Sequence, residues 1–230
     1  MSTSQLTPSV TPASSLLTPD DCTLLLVDYE AQMFFGVQSH DRQTLINNAV
    51  GLARSAQVFG VPTIVTTVYE KWFSGPMPTE LASLYSAEEV IDRSTMNPWE
   101  DQRVVDAVAA TGRPKLIIAG LWTEVCVAYP ALSALEQGYE VYVVVDACGG
   151  TSTEAHETAV RRMVQAGVVP VTWLQVLLEL QRDWARDATA ATTRDVAIAH
   201  AGAYGQGSAY VAFMFGQNAA AQDAGQDATG

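Results

Sequence analysis

Basic side chains are scarce in this 230-residue chain: twelve Lys and Arg stand against twenty-five Asp and Glu, a formal net charge of −13. A nucleic-acid partner needs a basic footprint that displaces counterions from phosphates, so that class of partner is excluded. Cysteine is scarcer still. Cys22, Cys126 and Cys148 are an odd number and too few for a disulfide scaffold, the usage expected of a reduced, cytoplasmic protein. No uninterrupted apolar run in the sequence approaches the ~20 residues that span a bilayer, so no membrane partner is expected. The first basic residue is Arg42, which leaves no charged start for a secretory leader. What is present is a 48% hydrophobic content, enough for a sizeable core, in a length that predicts one domain or one with a small appendage.

Residues 1–19 are mostly Ser, Thr and Pro without charge or apolar period, and read as a flexible arm or a strap over a neighbour. A folded domain is expected over residues 20–186. It opens on Cys22–Val27, a short continuous apolar run of the kind buried on both faces of a parallel sheet. The pattern recurs at Val61–Val68, Lys115–Gly120, Glu140–Asp146 and Val168–Trp173. Helical periods lie between the runs: Leu45, Ala49, Leu52, Ala53 and Val58 before Gly60, and Val104, Val105 and Val108 before Gly112. Val127, Ala131, Leu132 and Leu135 precede Gly138, and Ala159, Met163 and Val164 precede Gly167. Strands alternating with helices predict an α/β fold, a three-layer αβα sandwich around a doubly wound, mostly parallel sheet. From about Asp187 to residue 230 the composition turns to Ala, Gly, Gln and Thr, an extension expected to be partly disordered or packed on another subunit.

Ligands of such sheets sit beyond the carboxyl ends of the strands, near the switch in strand order. No G-x-G-x-x-G follows the first strand, and the chain has neither a G-x-x-x-x-G-K-[ST] phosphate loop nor a G-x-S-x-G elbow, which disfavours a dinucleotide cofactor. Asp28 closes the first run, Glu70 and Lys71 follow the second, and Gly120-Leu-Trp-Thr-Glu-Val-Cys126 follows the third. Cys126 falls where a strand end gives way to a helix, whose free N–H groups would favour a thiolate. Asp28 would take the thiol proton, while Glu124 would oppose ionisation if it pointed inward. Position alone leaves Cys126 equally readable as a small buried apolar residue.

Val27-Asp28, together with the stretch Ala119-Gly-Leu-Trp-Thr-Glu-Val-Cys-Val-Ala-Tyr-Pro-Ala-Leu-Ser-Ala134, resembles the isochorismatase-like cysteine hydrolases, in particular their YcaC-type branch. Thr66-Thr67, Gly75-Pro76, Asn97-Pro-Trp99 and Glu179-Leu-Gln-Arg-Asp-Trp184 extend the likeness over about residues 20–186. The resemblance implies a triad: Asp28 as general base, Cys126 as nucleophile, and a cation between the second and third strands. Most of the family has lysine there; this chain offers Arg93, as YcaC-type members do. An arginine stays charged at any working pH and stabilises charge without shuttling protons. Taken alone, Arg93 reads as a surface partner of Asp92 or Glu89. The resemblance also implies a non-proline cis peptide between Leu121 and Trp122, and an oxyanion hole made by the Trp122 and Cys126 N–H groups.

The activity so implied is hydrolysis of a C–N bond in a small amide through a thioester, with no cofactor. Alternatives are a nicotinamidase, a vinyl-ether hydrolase, or a pseudoenzyme serving assembly. Nicotinamidases of the family bind a metal through Asp and His; His40, His156 and His200 lie far apart in sequence, so no metal site is expected. Substrate contacts are expected from Glu30, Phe34, Glu70 and Thr123, and Phe35, Tyr69, Trp72, Phe73 and Trp122 are candidate pocket walls. Glu30 stands where relatives often carry glutamine, and either binds a polar substrate group or disrupts the pocket. Pro130 should kink the helix after Cys126. Family members form dimers, tetramers or octamers, so a homo-oligomer (tetramer or octamer) is the expected assembly.

Overall fold

Cys22–Val27 forms strand β1 with all six residues buried, as a strand covered on both faces requires. The computed structural model describes residues 10–227, with side chains through residue 216. It adds β2 (Thr63–Val68), β3 (Val90–Arg93), β4 (Lys115–Gly120), β5 (Glu140–Val144) and β6 (Val169–Val171). These make one six-stranded sheet in the order β3-β2-β1-β4-β5-β6, and every pairing is parallel. The five expected runs are β1, β2, β4, β5 and β6. β3 had no such signal: it is four residues, Val-Ile-Asp-Arg, on the sheet edge, where only Arg93 is buried and no continuous apolar run is needed.

The helices are α1 (Ala31–Phe35), α2 (Arg42–Val58), α3 (Thr79–Ala82), α4 (Gln102–Ala110), α5 (Ala128–Glu136), α6 (Thr153–Ala166), α7 (Trp173–Gln181), α8 (Asp187–His200) and α9 (Gly202–Asp227). α2 packs with α7 and α8, and α5 with α6, so helices flank the sheet as expected of the sandwich. Gly167 ends α6 at φ 115°, a conformation that only glycine adopts without strain. One local expectation needs correction. Val164 is exposed rather than part of the buried face of α6. Pro130 is the third residue of α5, and a π-helical turn, Thr123–Val127, runs directly into that helix, so the missing N–H falls where the helical hydrogen-bond pattern changes.

The expected arm is anchored from Ser14 onward, and residues 1–9 lie outside the described residues. The buried Lys115 ammonium donates to the carbonyls of Ser14 (2.6 Å) and Leu16 (2.7 Å) and pairs with Asp21 at 2.8 Å. Leu17 is fully buried, and its N–H donates to Glu179 on α7 at 2.8 Å. The C-terminal extension forms α8 and α9 up to Asp227. α8 packs on α2 of the same chain, and residues 228–230 lie outside the described residues. No helix among the described residues is long and apolar enough to cross a membrane.

β1 and β4 are neighbours at the sheet centre, and the connections leave them in opposite directions along the strand order. This is the switch point where open α/β sheets hold ligands. Val27 pairs with Gly120 there, and a Cβ on Gly120 would stand 2.1 Å from the Val27 carbonyl oxygen. Backbone cannot yield as a flexible side chain can. Gly120→Ala is therefore expected to destabilise the fold by about 1–3 kcal/mol, read as a lower urea midpoint with an unchanged slope.

Candidate active site

Asp28 is the first residue after β1. Its backbone sits at φ 55°, in the left-handed region that Asp tolerates better than most residues, and its N–H donates to Thr66 O on β2 at 3.0 Å. Its side chain is fully buried. Arg93, the last residue of β3, directs Nη2 to both carboxylate oxygens, at 2.8 and 2.7 Å, with neither side chain exposed. Arg93 Nη1 also donates to the carbonyl of Thr95. Asp28 is thus the partner of Arg93, in place of the surface pairing with Asp92 or Glu89. Lys71 lies 5.7 Å from the Trp72 ring on the protein surface.

Cys126 completes the cluster from the other side of the switch point. It is the fourth residue of the π-helical turn after β4, it is buried, and it stands close enough to the Asp28 carboxyl for each to shift the other's ionisation. Burial pushes Asp28 up to about 6, although Arg93, Cys126 and the Thr66 hydroxyl (3.4 Å from Oδ1) each pull it down. The thiol is pushed well above its ordinary range, first by burial and then by the negative charge of Asp28, with Arg93 opposing. The expectation of a resting thiolate is therefore corrected. Removal from water outweighs the guanidinium and raises the thiol. Glu124 is not the cause: its Oε1 accepts from the N–H (3.0 Å) and hydroxyl (2.6 Å) of Thr151.

The peptide between Leu121 and Trp122 is cis. The Trp122 indole is held by a 2.9 Å hydrogen bond from Nε1 to Met33 O, and a Cβ on Gly36 would stand 2.5 Å from Cζ2 of the same ring. In the turn that follows, the Thr123 N–H donates to Gly149 O and the N–H groups of Val125 and Val127 both donate to Trp122 O.

The remaining expected residues are distributed otherwise. Glu30 is fully buried, with Oε2 3.0 Å and Oε1 3.2 Å from the Val68 N–H, so its carboxyl is spent on backbone at the end of β2. Burial, aided by Asp28 and Asp92 and opposed by the Val68 N–H and Arg93, raises it to about 9. Phe34 is buried and stacked on Tyr29 at 6.1 Å. The Thr123 hydroxyl is 2.8 Å from His156 Nδ1. Glu70 is exposed, in a cleft of about 580 Å³ with Gln32, Lys71, Trp72, Phe73 and Asp92. Phe35, Tyr69, Trp72 and Phe73 are exposed and Trp122 is half-buried. Cys22 and Cys148 are buried free thiols. His40 and His156 stand edge to face at 4.7 Å, and among the described residues no group of three or more His, Cys, Asp or Glu side chains is arranged to hold a metal ion.

Residues 22–175 match the isochorismatase domain. The chain belongs to the isochorismatase family. It is 41% identical over 172 residues to the probable hydrolase YcaC of Escherichia coli, an alignment covering 74% of this chain and 83% of that protein. The crystal structure of E. coli YcaC, described as an octameric hydrolase of unknown specificity, superposes with a TM-score of 0.83 at 37% identity, over 89% of this chain and all of that one. YcaC from Pseudomonas aeruginosa, solved with hexane-2,5-diol and covalent acrylamide, gives 0.81 at 36% identity, over 90% and 100% of the two chains. The chain is thus a YcaC-like isochorismatase-family hydrolase.

Two residues near the cluster were given no role by the sequence. Thr66 belongs to the Thr66-Thr67 stretch of the resemblance, but only its register opposite Val27 directs it to Asp28. His156, thirty residues beyond Cys126, reaches the active-site turn only because α6 packs against it.

Proposed function

We propose that this isochorismatase-family hydrolase cleaves the C–N bond of a small amide through a thioester on Cys126. The supporting observation is the buried cluster at the switch point, in which the Asp28 carboxylate is paired with the Arg93 guanidinium and the buried Cys126 thiol acts on its ionisation. The Asp28 carboxylate takes the thiol proton as sulfur attacks the carbonyl carbon. The oxyanion is stabilised by the N–H groups of Trp122 and Cys126, where one such donor is worth about 2.7–4 kcal/mol. Asp28 then passes its proton to the leaving nitrogen as the C–N bond breaks. Water, deprotonated by Asp28, attacks the thioester; the carboxylic acid leaves and the thiol regains a proton. Arg93 holds the negative charge of Asp28 at each stage and transfers no proton.

The active unit is a homo-oligomer, as the octameric E. coli relative suggests. Glu30, Phe34 and Thr123 serve in this reading as supports behind the cluster, and Glu70 is the candidate that faces solvent. The test is labelling and turnover together. Acrylamide should add to Cys126, sulfur bonding to its terminal alkene carbon and a proton to the neighbouring one, as identified by peptide mass. A panel of small amides should release ammonia with the wild type and none with Cys126→Ala. Labelling confined to Cys22 or Cys148, or ammonia release that survives Cys126→Ala, would refute the proposal.

A further inference from the structure

A second set of polar side chains, buried at Thr123 and His156 and half-buried at Ser39 and His40, lies behind the turn that carries Cys126. The N–H of Gly150 donates to Ser39 Oγ at 2.8 Å, and that oxygen lies 2.8 Å from His40 Nδ1. The His40 ring meets His156 edge to face, with centroids 4.7 Å apart and planes at 83°. His156 Nδ1 then reaches the fully buried Thr123 hydroxyl at 2.8 Å, and the Thr123 N–H donates to Gly149 O at 2.9 Å. Space is closed as well as bonded. A Cβ on Gly150 would stand 2.8 Å from His156 Cβ and 2.9 Å from Glu124 Oε2. Thr123 follows Trp122 directly and is the first residue of the turn that carries Cys126, so fixing it fixes both ends of the reacting geometry.

We propose that His156, acting through the Thr123 hydroxyl, is a positioning residue that sets the nucleophile turn, so that the Cys126 thiol meets Asp28. It touches neither substrate nor triad. A hydroxyl locked to a buried imidazole stops the turn from rotating about Thr123, and reaction rates respond steeply to displacements on the order of an ångström. The imidazole suits this use because its charged form is disfavoured: burial and then His40, against Glu124 and Glu157, push His156 down to about 4. Either tautomer allows the bond, since a hydroxyl donates to a bare nitrogen or accepts from an N–H.

The inference rests on Cys126 being the nucleophile, and acrylamide labelling separates the two claims. Thr123→Val keeps the shape and removes the hydroxyl; it should slow labelling of Cys126 roughly 10- to 100-fold without moving the pH midpoint of the rate. Thr123→Ser, which restores the hydroxyl, should recover the wild-type rate to within about threefold. His156→Asn, with an amide nitrogen near the place of Nδ1, should exceed His156→Leu in the same assay, which preserves the comparison if Thr123→Val fails to fold. Valine labelling as fast as wild type, serine failing to rescue, or a shifted midpoint at unchanged plateau rate would overturn the positioning role while leaving the nucleophile intact. A wild-type Cys126 that acrylamide does not label would remove both.

Discussion

Asp28→Asn is expected to lower the rate of Cys126 alkylation and of amide turnover by about 10²- to 10⁴-fold, the usual weight of a general base. The amide has the size of the carboxyl and can still meet the Thr66 hydroxyl, so the loss isolates proton acceptance from packing. The pH profile carries the sharper signature. Burial raises Asp28 to about 6, and its carboxylate is the form that accepts the proton. The wild-type rate should therefore rise through a midpoint near pH 6 and then level off. A free thiolate route would behave otherwise. The thiol is raised by burial and by Asp28, so that route would climb about tenfold per pH unit well past pH 9. A wild-type rate that keeps climbing at alkaline pH would remove Asp28 as the base. In the Asn variant the neighbouring negative charge is gone, and the small residual rate should follow the thiol upward with pH.

Arg93→Met should destabilise the fold by about 3–5 kcal/mol at neutral pH, because it leaves a fully buried carboxylate without its cation. The size of the loss should depend on pH, with a definite sign. The folded state already holds Asp28 above its unfolded value of 3.8, so stability from the protonated acid is present below pH 4 and is lost as pH rises through about 6. Arg93 lowers the folded value, and its removal extends this window upward. Wild type and variant should differ least below pH 4, where Asp28 is uncharged in both, and most above pH 7. Urea titrations at pH 4 and pH 8 check this; equal losses at the two values would mean that Arg93 contributes packing alone. Activity should fall as well, since the Asp28 charge would go unbalanced in the step that needs it.

The sequence by itself determined the class of fold and singled out Asp28 and Cys126 as the candidates for the proposed chemistry. β1 and β4 were legible because strands buried on both faces need unbroken apolar runs, and the glycines before each following strand mark helix ends by their backbone freedom. Asp28 and Cys126 were legible because they stand at the carboxyl ends of those strands in a specific local pattern. β3 was not, since a four-residue edge strand carries two charges and no run. Only the tertiary structure decided which charge meets which. Lys71 and Arg93 were both cations near the second and third strands, and the register of Val68 against Arg93 put the guanidinium on Asp28. It also set the direction in which the thiol shifts. A helix start and an arginine argue for a thiolate along the chain, but exclusion of water acts over the whole surroundings of the sulfur and outweighs them. The contact between His156 and Thr123, thirty-three residues apart, belongs to the same class: packing of α6 creates it, and no local pattern encodes it.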